Sequence, residues 1–208
     1  MSRHDWYRNT EWSEETASAF EAKLRRARSQ KEQYLRIQAG ILAELNPEVT
    51  HALLDRYFTL PNQFDAAQAH VDRACAYVAQ SKIYEAIAAY DRALVREAEH
   101  PGLLTGAYLE LPYLIAIHAV EAEYGRALGL LEKHIGRLMF EIDYFKWNAA
   151  KAIIAVTQRN LPLAQVHAKV ALDAAATSHS GMSYHPTVGL VAGSLPEMQE
   201  RMRKLCGA

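Results

Sequence analysis

Nine histidines and two cysteines are the residues of this 208-residue chain with the widest chemistry, as metal ligands, nucleophiles and proton carriers. Their spacing points to none of these roles. His51, His70, His118, His134 and His167 fall on five separate helical segments and form no His-Glu-x-x-His or His-x3-His pair, the spacing that sets two imidazoles on one helical face around zinc. His179 and His185 bracket a loop too long for one helical face, with no carboxylate between them. Cys75 and Cys206 stand far apart, without a Cys-x-x-Cys motif or a neighbouring His that would lower a thiol pKa, so both read as reduced thiols in a reducing compartment. Nucleophile-elbow, P-loop, dinucleotide-binding and deaminase patterns are missing. The sequence therefore predicts no enzyme, no metal and no cofactor.

Charge is more informative. Lys+Arg number 23 and Asp+Glu 24, a net of -1, so no global field draws the chain to nucleic acid or to an anionic membrane. Residues 21–36, however, carry Lys23, Arg25, Arg26, Arg28, Lys31 and Arg36 against Glu21 and Glu32, while 37–145 reverse the balance with 15 acidic and 8 basic residues. Two readings follow for the basic segment. Its arginines pair with carboxylates of the next hairpin, or Lys23, Arg25, Arg26 and Arg28 form a docking surface for an acidic partner. RNA binding through 23–36 ranks below a protein partner, because few aromatic rings interleave with the cations to stack bases. The first residues contain no apolar leader, and the longest charge-free run, 174–196, is too rich in Ser, His, Gly and Pro for a membrane helix; the expected location is cytoplasmic.

The elements that must position these residues are helices. Alanine, the residue with the lowest helical cost, is abundant, and only six of the ten glycines precede residue 177. Asn46-Pro47, Leu60-Pro61, His100-Pro101 and Leu161-Pro162 mark joints, whereas Pro112 interrupts an otherwise continuous apolar helix and either opens it late or kinks it. The expected helices are 13–28, 30–45, 47–59, 66–80, 83–99, 107–121, 124–136, 145–158, 161–177 and 195–206. Ser13 suits the first N-cap.

One internal repeat is legible. In Ala74-x-x-Tyr77-x8-Ala86-x3-Tyr90-x2-Ala93, small residues recur where two helices approach closely and aromatics fill the next layer. With Lys82-Ile-Tyr-Glu-Ala-Ile-Ala-Ala-Tyr-Asp-Arg-Ala-Leu94, this resembles the tetratricopeptide repeat, without that family's usual Gly before the tract. Degenerate copies follow at Ala52, Ala127 and Ala164, separated from one another through Ala86 by 34, 41 and 37 residues. The whole chain also resembles uncharacterised stand-alone bacterial tetratricopeptide proteins. The resemblance implies an all-α fold, a right-handed solenoid of about four helical hairpins with capping helices at both ends, formed by 13–177 between an aromatic segment, 1–12, and a C-terminal strap with closing helix, 178–208, as one domain. It implies an adaptor or scaffold that binds another protein or helix, as a regulator or an immunity-type inhibitor, with self-association left open. The family's inward-facing positions map here to Tyr34, Ile37, Ile41, Gln68, Val71, Cys75, Lys146, Ala149 and Ile153. An enzyme with an unrecognised site is the most remote alternative.

Two segments outside the repeats are rich in apolar groups. Trp6, Tyr7 and Trp12 are expected to pack back on the first helix or into the end of the solenoid, with an exposed partner-binding patch as the lesser alternative. Met182, Tyr184, Val188, Leu190 and Val191 are expected to bury themselves along the last hairpin or in the groove, with glycines letting the strap turn.

Overall fold

The computed structural model describes residues 5–207; the first four residues of the aromatic segment, and Ala208, lie outside the described residues. The described chain is all-helical, without strands: α1 (Glu14–Arg26), α2 (Lys31–Leu42), α3 (Pro47–Phe58), α4 (Ala66–Ala79), α5 (Ile83–Glu99), α6 (Ala107–Ile117), α7 (Tyr124–Lys133), α8 (Glu141–Thr157), α9 (Leu161–Ala176) and α10 (Pro196–Cys206). It divides into two compact units, one to Ala107 and one from Tyr108. No described helix is long and apolar enough to cross a membrane.

In the first unit, α2 packs on α3, α3 on α4 and α4 on α5. Alanine makes the closest approach possible: Ala74 and Ala76 on α4 and Ala86, Ala89 and Ala93 on α5 are all but fully buried. The unit's core gathers Phe20 and Leu24 of α1, Leu35, Ala39 and Leu42 of α2, and Leu53, Leu54 and Tyr57 of α3. Ser13 caps α1, its Oγ accepting the Thr16 N–H at 3.1 Å, with Glu14 and Glu15 behind it on the positive end of the helix dipole.

The N-terminal segment closes that core. Trp6 lies 5.5 Å from Phe20 and 4.8 Å from Tyr34, Tyr7 lies 4.6 Å from Tyr34, and Trp12 lies 5.5 Å from Phe20. Under these rings Gln38, fully buried, forms a polar clasp with Asn9. Its Oε1 accepts the Asn9 backbone N–H at 3.0 Å and Nδ2 at 2.8 Å, and its Nε2 donates to the Asn9 carbonyl at 2.7 Å. A buried amide is tolerated only when paired in this way.

In the second unit, α9 packs against α8 and α10, and its Ala164, Ala168 and Ala171, which share one face at i, i+4, i+7 spacing, are fully buried. Pro112 lies inside α6, so the helix runs through it. α8 starts at Glu141, four residues before its expected start, because the Asp143 carboxylate turns back to accept the N–H groups of Met139 and Phe140 at 3.1 and 3.0 Å.

Three interhelical turns share one geometry. Ser81, Ala119 and Arg159 all adopt left-handed backbone angles, φ 58°, 52° and 59°. In each, the next N–H reaches back five residues, Lys82 to Tyr77 at 2.9 Å, Val120 to Ile115 at 3.0 Å and Asn160 to Ala155 at 2.8 Å, which is the Schellman closure of a helix end. These turns recur at intervals of 38 and 40 residues. Glycine is the residue that suits such a position, and none of the three turns carries one there.

The C-terminal segment corrects an expectation. Only its last residues dock: Val191 is fully buried, Gly189 abuts the Phe140 ring so closely that a Cβ would sit 2.4 Å from it, and the Gly189 carbonyl accepts the Ile142 N–H at 2.8 Å, capping the start of α8. Met182, Tyr184 and Val188 are exposed, Tyr184 at 92%. The loop closes on itself instead: the Ser180 N–H donates to the Pro186 carbonyl at 2.9 Å and its Oγ to the His185 carbonyl at 2.7 Å. Its polar backbone finds partners within the loop, and the apolar side chains are left outside.

Candidate partner-binding site

The basic segment occupies the last turn of α1, the connection 27–30 and the first residue of α2. Lys23, Arg25 and Arg26 sit where unsatisfied carbonyls give the helix end a partial negative charge, which favours cations there. Gln30, with φ 62°, turns the chain into α2 and brings Lys31 to its first position. Lys23, Arg25, Arg26 and Arg28 are exposed, and neither they nor Lys31 has an ion-pair partner among the described residues. The reading in which the segment's arginines pair with the next hairpin holds only for Arg36, which lies 3.6 Å from Asp65 and 3.7 Å from Asp72.

Beside these cations is a crevice of about 200 Å³ lined by Glu21, Leu24, Arg25, Lys31, Leu35, Arg56, Thr59 and Leu60. Leu24 and Leu35 are buried and form its floor. At one edge Arg56 and Glu21 make a two-pronged ion pair, with Nη2 to Oε2 at 3.1 Å and a closer Nη1 to Oε1 contact, so they neutralise each other. Arg25 and Lys31 remain as the uncompensated charges of the rim.

The first unit also holds a buried polar cluster around Asp72 that the sequence did not disclose. Asp72 accepts from Gln68 at 2.9 Å and faces Arg36, yet burial pushes its carboxyl up to about 6, against the lowering effect of Gln68 and Arg36. Its only available signal was Gly40, a glycine inside α2: a Cβ there would come within 2.9 Å of the Asp72 carboxylate. On the same helix, burial pushes His70 down to about 4, helped by Arg73, and its ring stacks on Phe58 at 4.6 Å. Burial, with Asp65 nearby, raises Tyr57 to about 12. A cleft of about 430 Å³ lined by Gln33, Tyr57, Asn62, Phe64 and Asp65 lies over this cluster, and a shallower one of about 740 Å³ runs between the 61–64 and 99–103 segments. Among the described residues no three His, Cys, Asp or Glu side chains converge on a metal position.

The expected groove positions divide between the two units. Tyr34 is covered by Trp6 and Tyr7, and Ile37 packs against the first unit's core. Ile41 is half-buried, Gln68 is committed to Asp72, and Val71 is buried. Cys75 Sγ lies 3.9 Å from the Tyr90 hydroxyl. In the second unit Lys146 pairs with Glu110 at 2.6 Å and stands over the Tyr113 ring, while Ala149 and Ile153 are core residues. Of these positions Val71, Ala149 and Ile153 are buried and take part in the packing of their own units. The chain matches no protein-family model, no curated protein and no solved structure.

Proposed function

We propose that this protein is a binding module of the tetratricopeptide-like kind, a right-handed array of about four helical hairpins, that captures an acidic partner protein through the end of its first unit. The single observation that carries the reading is the set of exposed cations, Lys23, Arg25, Arg26 and Arg28, that no carboxylate of the described chain compensates. Unpaired like charges on one short stretch repel one another, and an acidic partner removes that repulsion while gaining steered association. The recurring Schellman turns support the hairpin array. A regulator or immunity-type inhibitor, which occupies one cognate protein, fits this arrangement better than a module for many ligands, because the charge is concentrated at one place.

The test compares proteins co-purifying with the native chain and with the triple variant Arg25→Glu, Arg26→Glu, Arg28→Glu, both carried through a nuclease step. The expected result is selective loss of an acidic partner with unchanged helical circular dichroism. Binding of added RNA by the purified chain once the nuclease has been removed, with affinity falling steeply with salt, would favour the nucleic-acid alternative.

A further inference from the structure

Resting on that reading, we infer that the partner is gripped by a short acidic segment carrying one Leu- or Phe-sized apolar side chain, which fills the crevice between α1, α2 and the end of α3. The crevice, at about 200 Å³, is smaller than the roughly 300–1,000 Å³ of sites that enclose a cofactor or drug-sized molecule, and it suits a single anchor side chain. Leu24, Leu35 and Leu60 give it an apolar part that an apolar side chain covers without losing hydrogen bonds to water, while the charged lining residues are left for the groups that flank it. Its rim is asymmetric. Arg56 is already satisfied by Glu21, whereas Arg25 and Lys31 have no ion-pair partner among the described residues, so these two are the cations left for carboxylates flanking the anchor.

The same features argue against other occupants. A nucleic-acid base needs a flat aromatic platform, and among the described residues no aromatic one lines this crevice. A bilayer is entered by apolar groups that protrude, and these are recessed beneath charged ones. An acidic peptide with one apolar knob meets both the charge and the shape. The partner surface thus combines a desolvated anchor with a polar rim, the arrangement in which a few residues dominate affinity.

The experiment uses the full chain and a fluorescent, N-acetylated pentapeptide pool with Glu or Asp at the outer positions and every amino acid in turn at the centre. Leu, Met and Phe members should bind best, with the Ala member about 10- to 100-fold weaker, the discrimination typical of a filled apolar pocket. Thr59→Phe, which plugs the mouth from an exposed position, should level this preference while leaving weak, salt-sensitive binding; Thr59→Gln is the second variant should the first lose its helical signal. Arg25→Glu with Lys31→Glu should abolish binding of every member. If all central residues bind alike and binding still depends on salt, the anchor inference is overturned and the acidic-partner reading stands. If no member binds, or if a uridine-rich RNA oligonucleotide or phosphatidylserine vesicles bind more tightly than the best peptide, both are overturned.

Discussion

The two ends of this chain carry similar material and use it in opposite ways. Trp6, Tyr7 and Trp12 lie against Phe20 and Tyr34, held by the three hydrogen bonds between Asn9 and Gln38. Met182, Tyr184 and Val188 point outward from a loop whose own backbone groups satisfy Ser180, and only Gly189 to Val191 return to the body. The difference teaches that apolar composition does not by itself decide burial. A segment docks where the body offers partners for its polar groups, as Gln38 does for Asn9; without such partners, the loop pairs with itself.

The largest expected effect lies at the one point where the C-terminal segment does dock. Gly189→Ala combines a left-handed φ of 69° with a Cβ 2.4 Å from the Phe140 ring, and should lower stability by about 3–4 kcal/mol. Gly181→Ala, with a similar φ of 76° and open space around it, should cost only about 1 kcal/mol. Equal effects in urea denaturation would show that the strap is not anchored at Phe140.

Comparing the two ends requires a pH at which the first unit is level, and its two buried titrating groups set that range. His70 is depressed from 6.5 to about 4, so the stability associated with its neutral form is lost as pH falls through that interval. Asp72 is raised from 3.8 to about 6, so its effect has the opposite sign: stability rises as pH falls from about 6 towards 3.8. The two offset each other. Asp72→Asn should expose the His70 loss as a decline of up to roughly 3 kcal/mol between pH 6.5 and 4, and His70→Gln should reverse the slope. Urea midpoints across that range check both, and parallel profiles for the two variants would refute the offset.

At the N-terminal end, Gln38→Ala removes the clasp and leaves the Asn9 backbone groups unpaired beneath the aromatic rings, an expected loss of about 2 kcal/mol with a red shift of tryptophan fluorescence. Docking by ring packing alone would leave the emission unchanged. A smaller gain is expected from Ser81→Gly, which relieves the left-handed strain at φ 58° and should stabilise by about 0.5–1 kcal/mol. A loss at that position would contradict the Schellman turn. Smallest of all, Tyr184→Ser should change stability by less than about 0.5 kcal/mol, because the ring is 92% exposed; a larger loss in thermal denaturation would reveal contacts that the exposed loop does not have.

The sequence by itself determined the helices, since alanine content, proline joints and apolar periodicity are local properties that each segment carries alone. α5 spans the expected 83–99, and most other ends lie within a few residues. It also determined where the cations lie in the chain. What it did not determine is which side chains remain available. Lys23, Arg25, Arg26 and Arg28 have no ion-pair partner among the described residues while Arg36 found Asp65 and Asp72; Ala149 and Ile153 became core; Tyr34 lies against a tryptophan and a tyrosine. Only tertiary structure decided these, because a helix fixes which residues share a face, and not which neighbour covers it. The crevice at Leu24, Leu35 and Leu60 comes from three separate segments, and the buried Asp72 fits because Gly40, 32 residues earlier, has no side chain. Pairings across such distances are set by how the helices stack, and no local pattern records them.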